Sequence, residues 1–359
     1  MRKKLFVLFP LCLMAAAVVW AAAAGDASDP LASLSYLSGV FSNKVDAAVD
    51  ARLDSAAGLL PQGGGSFEAA GSAASWAERR LKRDDIIQAA TGDGVLLLAG
   101  SGQVSYSSGA VVDVTEGTVL PSGGSLAVRH RYLVAEDTAA NFVVTSKTAV
   151  ADWQGGCTFL ESTSTDYNAM AAALKAMHLF QGSATGYGQG FDLEAVPTRL
   201  QALIMFIRVL GEEGEALAWS GTCPFNDVQP GSNGAKYVGY AYEKGYTNGY
   251  GSEFRPYSPV NARQYTEFLL RALGYSSAAN TDLSTALDRA RSAGLLTEGE
   301  AELLRRDAFL RADLVYVSYY ALEVPVSGAG VTLSQRLMDK GVFTQAERDS
   351  APPVLNWRP

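Results

Sequence analysis

The second half of the chain repeats itself. Leu179–Leu210, Gly245–Leu273 and Gly294–Leu322 each start where a helix stops, cross a loop and run into a second helix. The stops lie at His178, Gly245 and Gly294, and a fourth helix ending at Gly341 closes the array. Glycine suits the left-handed position that terminates a helix. Thr198 and Asn261 stand where an N-cap is needed for the next helix. Beyond the caps, Leu203, Ile204, Ile207 and Leu210 recur on one helical face, as do Tyr265, Phe268, Leu269 and Leu273, and then Leu314, Val317 and Ala321. One helix-loop-helix of this size cannot bury such a face alone, so the copies must pack on each other.

Upstream of the repeats the period is different. Residues 76–162 show a period of two: Leu126, Val128, His130, Tyr132 and Val134 alternate with polar or small residues, which predicts a strand with one buried face. Short apolar runs at Val95–Leu98, Val111–Val114 and Phe142–Val144 are divided by turn clusters such as Gly92-Asp93-Gly94 and Ser122-Gly123-Gly124. This predicts a small all-β sandwich or roll. His130 has no second His, Cys or acid at ligand spacing, which makes it a packed or hydrogen-bonded residue. Before this region, 25–60 reads as a helix with a narrow apolar stripe through Leu34, Leu37, Phe41 and Val45, and 61–75, rich in Gly, Ser and Ala, reads as a linker.

The first 24 residues have the pattern of a signal peptide. Arg2, Lys3 and Lys4 precede an apolar run and a block of alanines, with cleavage expected after Ala24. The mature chain then has 26 basic against 37 acidic residues, a net charge of −11, and no second apolar run long enough to span a membrane. An acidic chain without a basic block argues against nucleic acid as a partner. Two histidines and three cysteines in the whole sequence leave little for metal chemistry, and no metal or other cofactor is expected. Export leaves two readings open for Cys157 and Cys223, a disulfide or two reduced thiols.

The middle repeat carries several landmarks in order: Pro224-Phe225-Asn226-Asp227-Val228, then Gly245-Tyr246-Thr247-Asn248-Gly249-Tyr250-Gly251, Phe254-Arg255-Pro256, Val260-Asn261-Ala262-Arg263-Gln264 and Arg271-Ala272-Leu273-Gly274. These resemble the S-layer homology module, and the resemblance covers about half of the chain. With the small all-β domain read at 76–162 the chain is expected to be α+β, and the resemblance implies that an all-α, pseudo-threefold bundle follows, with repeats at 163–219, 220–276 and a degenerate 277–346, and a tail at 347–359. It further implies non-covalent anchoring of a secreted protein to a secondary cell-wall polysaccharide or to peptidoglycan, through grooves between modules. In the family an arginine at the start of the second helix pairs with an acid on the polymer, and loop residues contact sugars.

Carried onto this sequence, the resemblance makes Arg199, Arg311 and Arg263 the ligand-binding candidates, with Tyr250 and Tyr187 as faces for sugar rings. An arginine offers paired donors to a carboxylate, and a helix N-terminus adds positive potential. Ungapped alignment puts Ala262 at the motif position in the middle copy. Arg263 is one residue later, a rotation of about 100° along the helix. The third copy lacks both the opening Phe-x-Asp-Val and most of the glycine-rich loop. Asp227 reads as a cap or turn residue. A second reading makes the chain a structural surface-layer component that forms homo-oligomers through residues 25–162. An enzyme, such as a hydrolase of wall polysaccharide, has the least support, since no nucleophile elbow, zinc motif or phosphate loop is present.

Overall fold

The computed structural model describes residues 75–352 except 184–185, together with Ala47, Val354 and Arg358. The expected signal sequence (1–24), helix (25–60) and linker (61–75) lie outside the described residues, Ala47 and Ser75 apart. The described residues from Ser75 on form one compact unit of α+β class. None of its helices is long and apolar enough to cross a membrane.

The β region opens with β1 (Ala77–Lys82), β2 (Ile86–Ala90), β3 (Gly94–Ala99), β4 (Gly102–Ser105) and β5 (Ala110–Asp113). It continues with β6 (Thr118–Leu120), β7 (Arg131–Ala135), β8 (Ala139–Val144), β9 (Thr148–Gln154) and β10 (Thr158–Leu160). The strands make a six-stranded sheet, β1-β9-β3-β7-β5-β6, and a four-stranded sheet, β10-β2-β8-β4, both antiparallel. Alternate residues of both sheets, among them Leu81, Val95, Val111 and Tyr132 from one and Ile87, Val104 and Phe142 from the other, share one core. The strand expected from Leu126 is shorter than the pattern suggests: β7 begins only at Arg131, Val128 is exposed, and Arg129 is in the left-handed region at φ 68°. The backbone of Arg129 instead turns to hydrogen-bond Leu97. His130 hydrogen-bonds Asp113 through Nδ1 at 2.7 Å, a local tie.

The helical region runs α1 (Tyr167–Ala176), α2 (Arg199–Val209), α3 (Glu213–Ala218), α4 (Asn233–Glu243), α5 (Ala262–Ala272) and α6 (Ala286–Ser292). It ends with α7 (Glu298–Arg306), α8 (Arg311–Ala321), α9 (Leu333–Asp339) and α10 (Gln345–Asp349). Helices α2, α5 and α8 pack on each other at the centre. Around them, the first helix of each unit packs on the second helix of the unit before: α4 on α2, α6 on α5, and α1 on α8, which closes the ring. The first helices end through left-handed residues, Gly245 at φ 73°, Gly294 at φ 76° and, without glycine, His178 at φ 62°. Leu203, Phe206, Phe268, Leu269, Leu314 and Val317 fill the shared core.

The β region is seated on this bundle. Strand β9 is buried on both faces at Ala149, Val150 and Ala151, because the short 3-10 turn Gly188–Gly190 covers its outer side. A side chain at Gly188 has no room there: its Cβ would lie 2.8 Å from Cγ2 of Val150 and closer still to the Arg80 guanidinium.

Candidate functional site

The middle unit shows how a groove is built. Phe225 of the opening motif is buried, packing edge-on against Tyr242 and tilted against Phe254. The Asp227 carboxylate accepts from the backbone N–H groups of Phe254 at 2.8 Å and Arg255 at 2.7 Å. That pair holds Arg255 in the left-handed region at φ 63° and aims the following carbonyls at the next helix start. Ser258 O and Pro256 O accept from the N–H groups of Arg199 and Leu200 at 2.9 and 3.0 Å. The open first turn of α2 is thus completed by the neighbouring unit.

Arg199 is the first residue of α2 and is 5 % exposed. Its Nε donates to Phe254 O at 2.9 Å, and Nη2 donates to Thr247 Oγ1 at 3.2 Å. The guanidinium carbon lies 5.0, 4.8 and 5.4 Å from the ring centroids of Tyr250, Phe254 and Phe268. Burial pulls its pKa below the ordinary arginine value, and the Tyr250 hydroxyl opposes that pull. Of its five N–H donors two are used among the described residues, so the rest can serve a ligand. They border a groove of about 170 Å³ that also includes Tyr250, Gln264, Glu267, Phe268 and Arg271. Gln264 donates to the Tyr250 hydroxyl at 2.5 Å and fixes that ring at the rim. Glu267 is fully engaged: Arg271 at 3.1 Å, Arg289 at 2.6 Å and the Ser276 hydroxyl at 2.6 Å.

Arg311, in the third unit, repeats this geometry. It is the first residue of α8, and its N–H and that of Ala312 donate to Ala195 O and Leu193 O at 2.9 and 3.0 Å. Its Nε donates to Phe191 O at 3.3 Å, and its carbon lies 5.8 Å from the Phe180 centroid. Burial lowers its pKa too, opposed by Asp192. The groove in front is about 160 Å³, with Gln201, Ile204, Met205 and Arg208 on the α2 face where α5 presents Gln264, Glu267, Phe268 and Arg271. This second groove therefore replaces the buried glutamate by isoleucine.

The third groove departs from both. Ala262 is the buried first residue of α5, while Arg263 is exposed and lines none of these grooves. Helix α7 stands where the other units have a glycine-rich loop. On α8 the counterpart of Arg208 and Arg271 is Tyr320, and the missing guanidinium arrives from the tail. Arg358 stacks 4.0 Å from the Tyr320 centroid, donates to Leu295 O at 2.9 Å as Arg271 does to Tyr246 O, and makes two 2.6 Å bonds to Glu300.

The first unit has no opening motif, and the β region supplies its support. Arg80 of β1 donates to Asn168 at 2.5 Å, Gly188 O at 3.1 Å and Glu194 at 2.6 Å, and Glu78 accepts from Gly188 N–H at 2.7 Å. Tyr187 stands half-buried at the start of this turn and does not line the Arg311 groove, whereas Tyr250 does line its own. The residues that sequence reasoning missed (Arg80, Thr247, Glu267, Arg271 and Arg358) act across units. The one readable signal was the shared spacing that places Arg208 and Arg271 alike in their helices.

The two thiols do not form the disulfide that export would permit. Cys157 belongs to the β core and Cys223 packs against the helical core, and both are free. Burial pushes the Cys157 thiol up to about 11, and Asp93 adds to the effect.

Two comparisons bear on identity. No curated protein matches the chain at a significant level. The family model described as S-layer homology domain matches residues 224–261, the stretch from the opening motif through Asp227, Thr247, Tyr250 and Phe254 to the cap of α5. That domain is a non-enzymatic anchoring module that associates with cell-wall polymers at the cell surface. The opening motif, the loop and the cap it ends on are the parts that build the Arg199 groove, and the chain is an S-layer homology domain-containing protein.

Proposed function

We propose that this protein is exported and held non-covalently on the cell wall by an acidic wall glycopolymer, which occupies the Arg199 and Arg311 grooves. The observation that carries the reading is the half-used, buried guanidinium of Arg199, braced by Phe254 O and Thr247 and bordered by the fixed ring of Tyr250. A carboxylate brought to that point meets charge-assisted donors in a site of low dielectric, and a sugar face meets an aromatic ring. Against a chain of net negative charge, such local arginines must supply all of the attraction. The role is retention without turnover: among the described residues the one carboxylate that lines the Arg199 groove, Glu267, is committed to two arginines and a serine.

Co-sedimentation of the full chain with purified wall material, before and after the secondary polysaccharide is stripped, tests this. Loss of retention on stripping is expected. Retention unchanged by stripping redirects the partner to peptidoglycan.

A further inference from the structure

The Arg199 and Arg311 grooves are built alike but charged differently. The carbonyls of Phe254 and Phe191 hold the two arginines in the same way, so the residues that follow them, Arg255 and Asp192, occupy matching places, both left-handed at φ 63° and 50°. One rim therefore carries an arginine where the other carries an aspartate. The helix behind repeats the contrast. On the Arg199 side Arg271 and Arg289 share the Glu267 carboxylate at 3.1 and 2.6 Å, whereas on the Arg311 side Arg208 pairs with Glu213 at 2.7 Å, one charge for one. Burial apart, the charges that act on Arg199 are the Tyr250 hydroxyl and then two cations, Arg271 and Arg255; those that act on Arg311 are Asp192, Arg208 and Glu194. We propose that the Arg311 groove selects an uncharged saccharide residue of the wall polymer and leaves the acidic residues to the Arg199 groove. This division of labour rests on the anchoring reading and adds to it the class of residue that each groove takes.

The lining agrees with the charge. Phe180, Ile204, Met205 and Leu314 border the Arg311 groove, and Ile204 holds the place that Glu267 has in the other. A ring without charge lays its C–H face on these side chains and buries apolar surface there, while Arg311 donates to its hydroxyls. A carboxylate at the same place loses its water to aliphatic carbon and meets the Asp192 charge. In the Arg199 groove the polar Thr247, Asn248 and Gln264 take the place of that apolar wall, and Arg255 stands at the rim, its partner Glu253 exposed.

Co-sedimentation of the full chain with wall material whose carboxylates have been amidated with carbodiimide and ammonia, beside untreated wall, separates the grooves. The Arg311→Gln protein keeps only the Arg199 groove, and its retention should fall about tenfold or more on amidation, the worth of one charged hydrogen bond. The Arg199→Gln protein keeps only the Arg311 groove, and its weaker retention should be the same on both walls. Equal losses of the two variants on amidation, no retention of Arg199→Gln on either wall, or wild-type retention by Arg311→Gln on untreated wall would each overturn the division. Two rim variants give the same reading without touching a buried arginine. Arg255→Gln should lower retention about twofold to threefold on untreated wall and leave it unchanged on amidated wall. Asp192→Asn, which tolerates the left-handed backbone, should leave retention within error on both. A several-fold gain from Asp192→Asn on untreated wall would put an acid in the Arg311 groove and overturn the division. Wild-type retention that ignores amidation brings down the acidic-polymer reading itself, and the division with it.

Discussion

Arg80 of the β region and Glu194 of the first helical unit meet at 2.6 Å with their side chains only 7 % and 13 % exposed. The pair braces the Gly188–Glu194 segment, whose Phe191 carbonyl holds Arg311. Within the middle unit Asp227 does the same service for Phe254 and Arg199. Two unrelated architectures thus reach one end, a fixed carbonyl behind a groove arginine.

Removing one member of that buried pair leaves the other charged and unpaired. Arg80→Met should cost about 3–5 kcal/mol, while Arg80→Met/Glu194→Leu should recover most of the loss. Urea unfolding of the two variants checks this, and a double variant as unstable as the single one would contradict it.

Asp227→Ala bares the buried N–H of Phe254 and frees the loop that completes α2. The expected loss of stability is about 1–3 kcal/mol. Wall retention should fall with it, because the Phe254 carbonyl no longer positions Arg199.

Arg199 and Arg263 are one helix start apart in kind but differ in burial. Arg199→Gln should reduce wall retention about tenfold or more, and Arg263→Gln should leave it within error. Sedimentation at two salt concentrations reads both, and equal losses would place the ligand outside the Arg199 groove.

Both thiols should survive in the purified protein. Mass spectrometry after denaturation in iodoacetamide, without reductant, should show alkylation of Cys157 and Cys223 alike. Under native conditions Cys157 should resist labelling at pH 8, since its thiol titrates near 11 and is buried.

His178 ends α1 in a conformation that favours glycine, and its Nε2 meets Glu347 of the C-terminal helix at 3.0 Å. His178→Gly should raise stability by about 1 kcal/mol, as the left-handed strain outweighs an exposed pair. The Glu347 carboxyl is held down to about 2 by His178 first and by Thr344 next. A depressed carboxyl stabilises the fold above its ordinary pKa and ceases to as the pH falls through about 2. Carboxyl shifts in NMR should therefore show a midpoint near 2 in the wild type and a higher one in His178→Gly.

What could be read from the chain was local. Helix ends at Gly245, Gly294 and Gly341, caps at Thr198 and Asn261, and the one-residue slip of Arg263 all follow from spacing within a turn or two. The α+β class followed from the change of period. The strand expected to start at Leu126 failed because alternation persists through a turn as long as its residues happen to alternate. The third unit hid its rebuilding because α7 erased the loop pattern without a replacement motif. Arg80, Lys147 and Arg358 were illegible for a different reason: their partners lie 58 to 166 residues away or on another fold type, and no period links them.

The seating of β9 against Gly188, with Arg80 and Lys147 gripping the first and third units, has a mechanical meaning. A pull on the β region does not first straighten a tether. It loads ion pairs and packed strands that lead straight to the helix starts where the wall polymer is proposed to sit, so the described part of the molecule behaves as a stiff bracket and not as a leash.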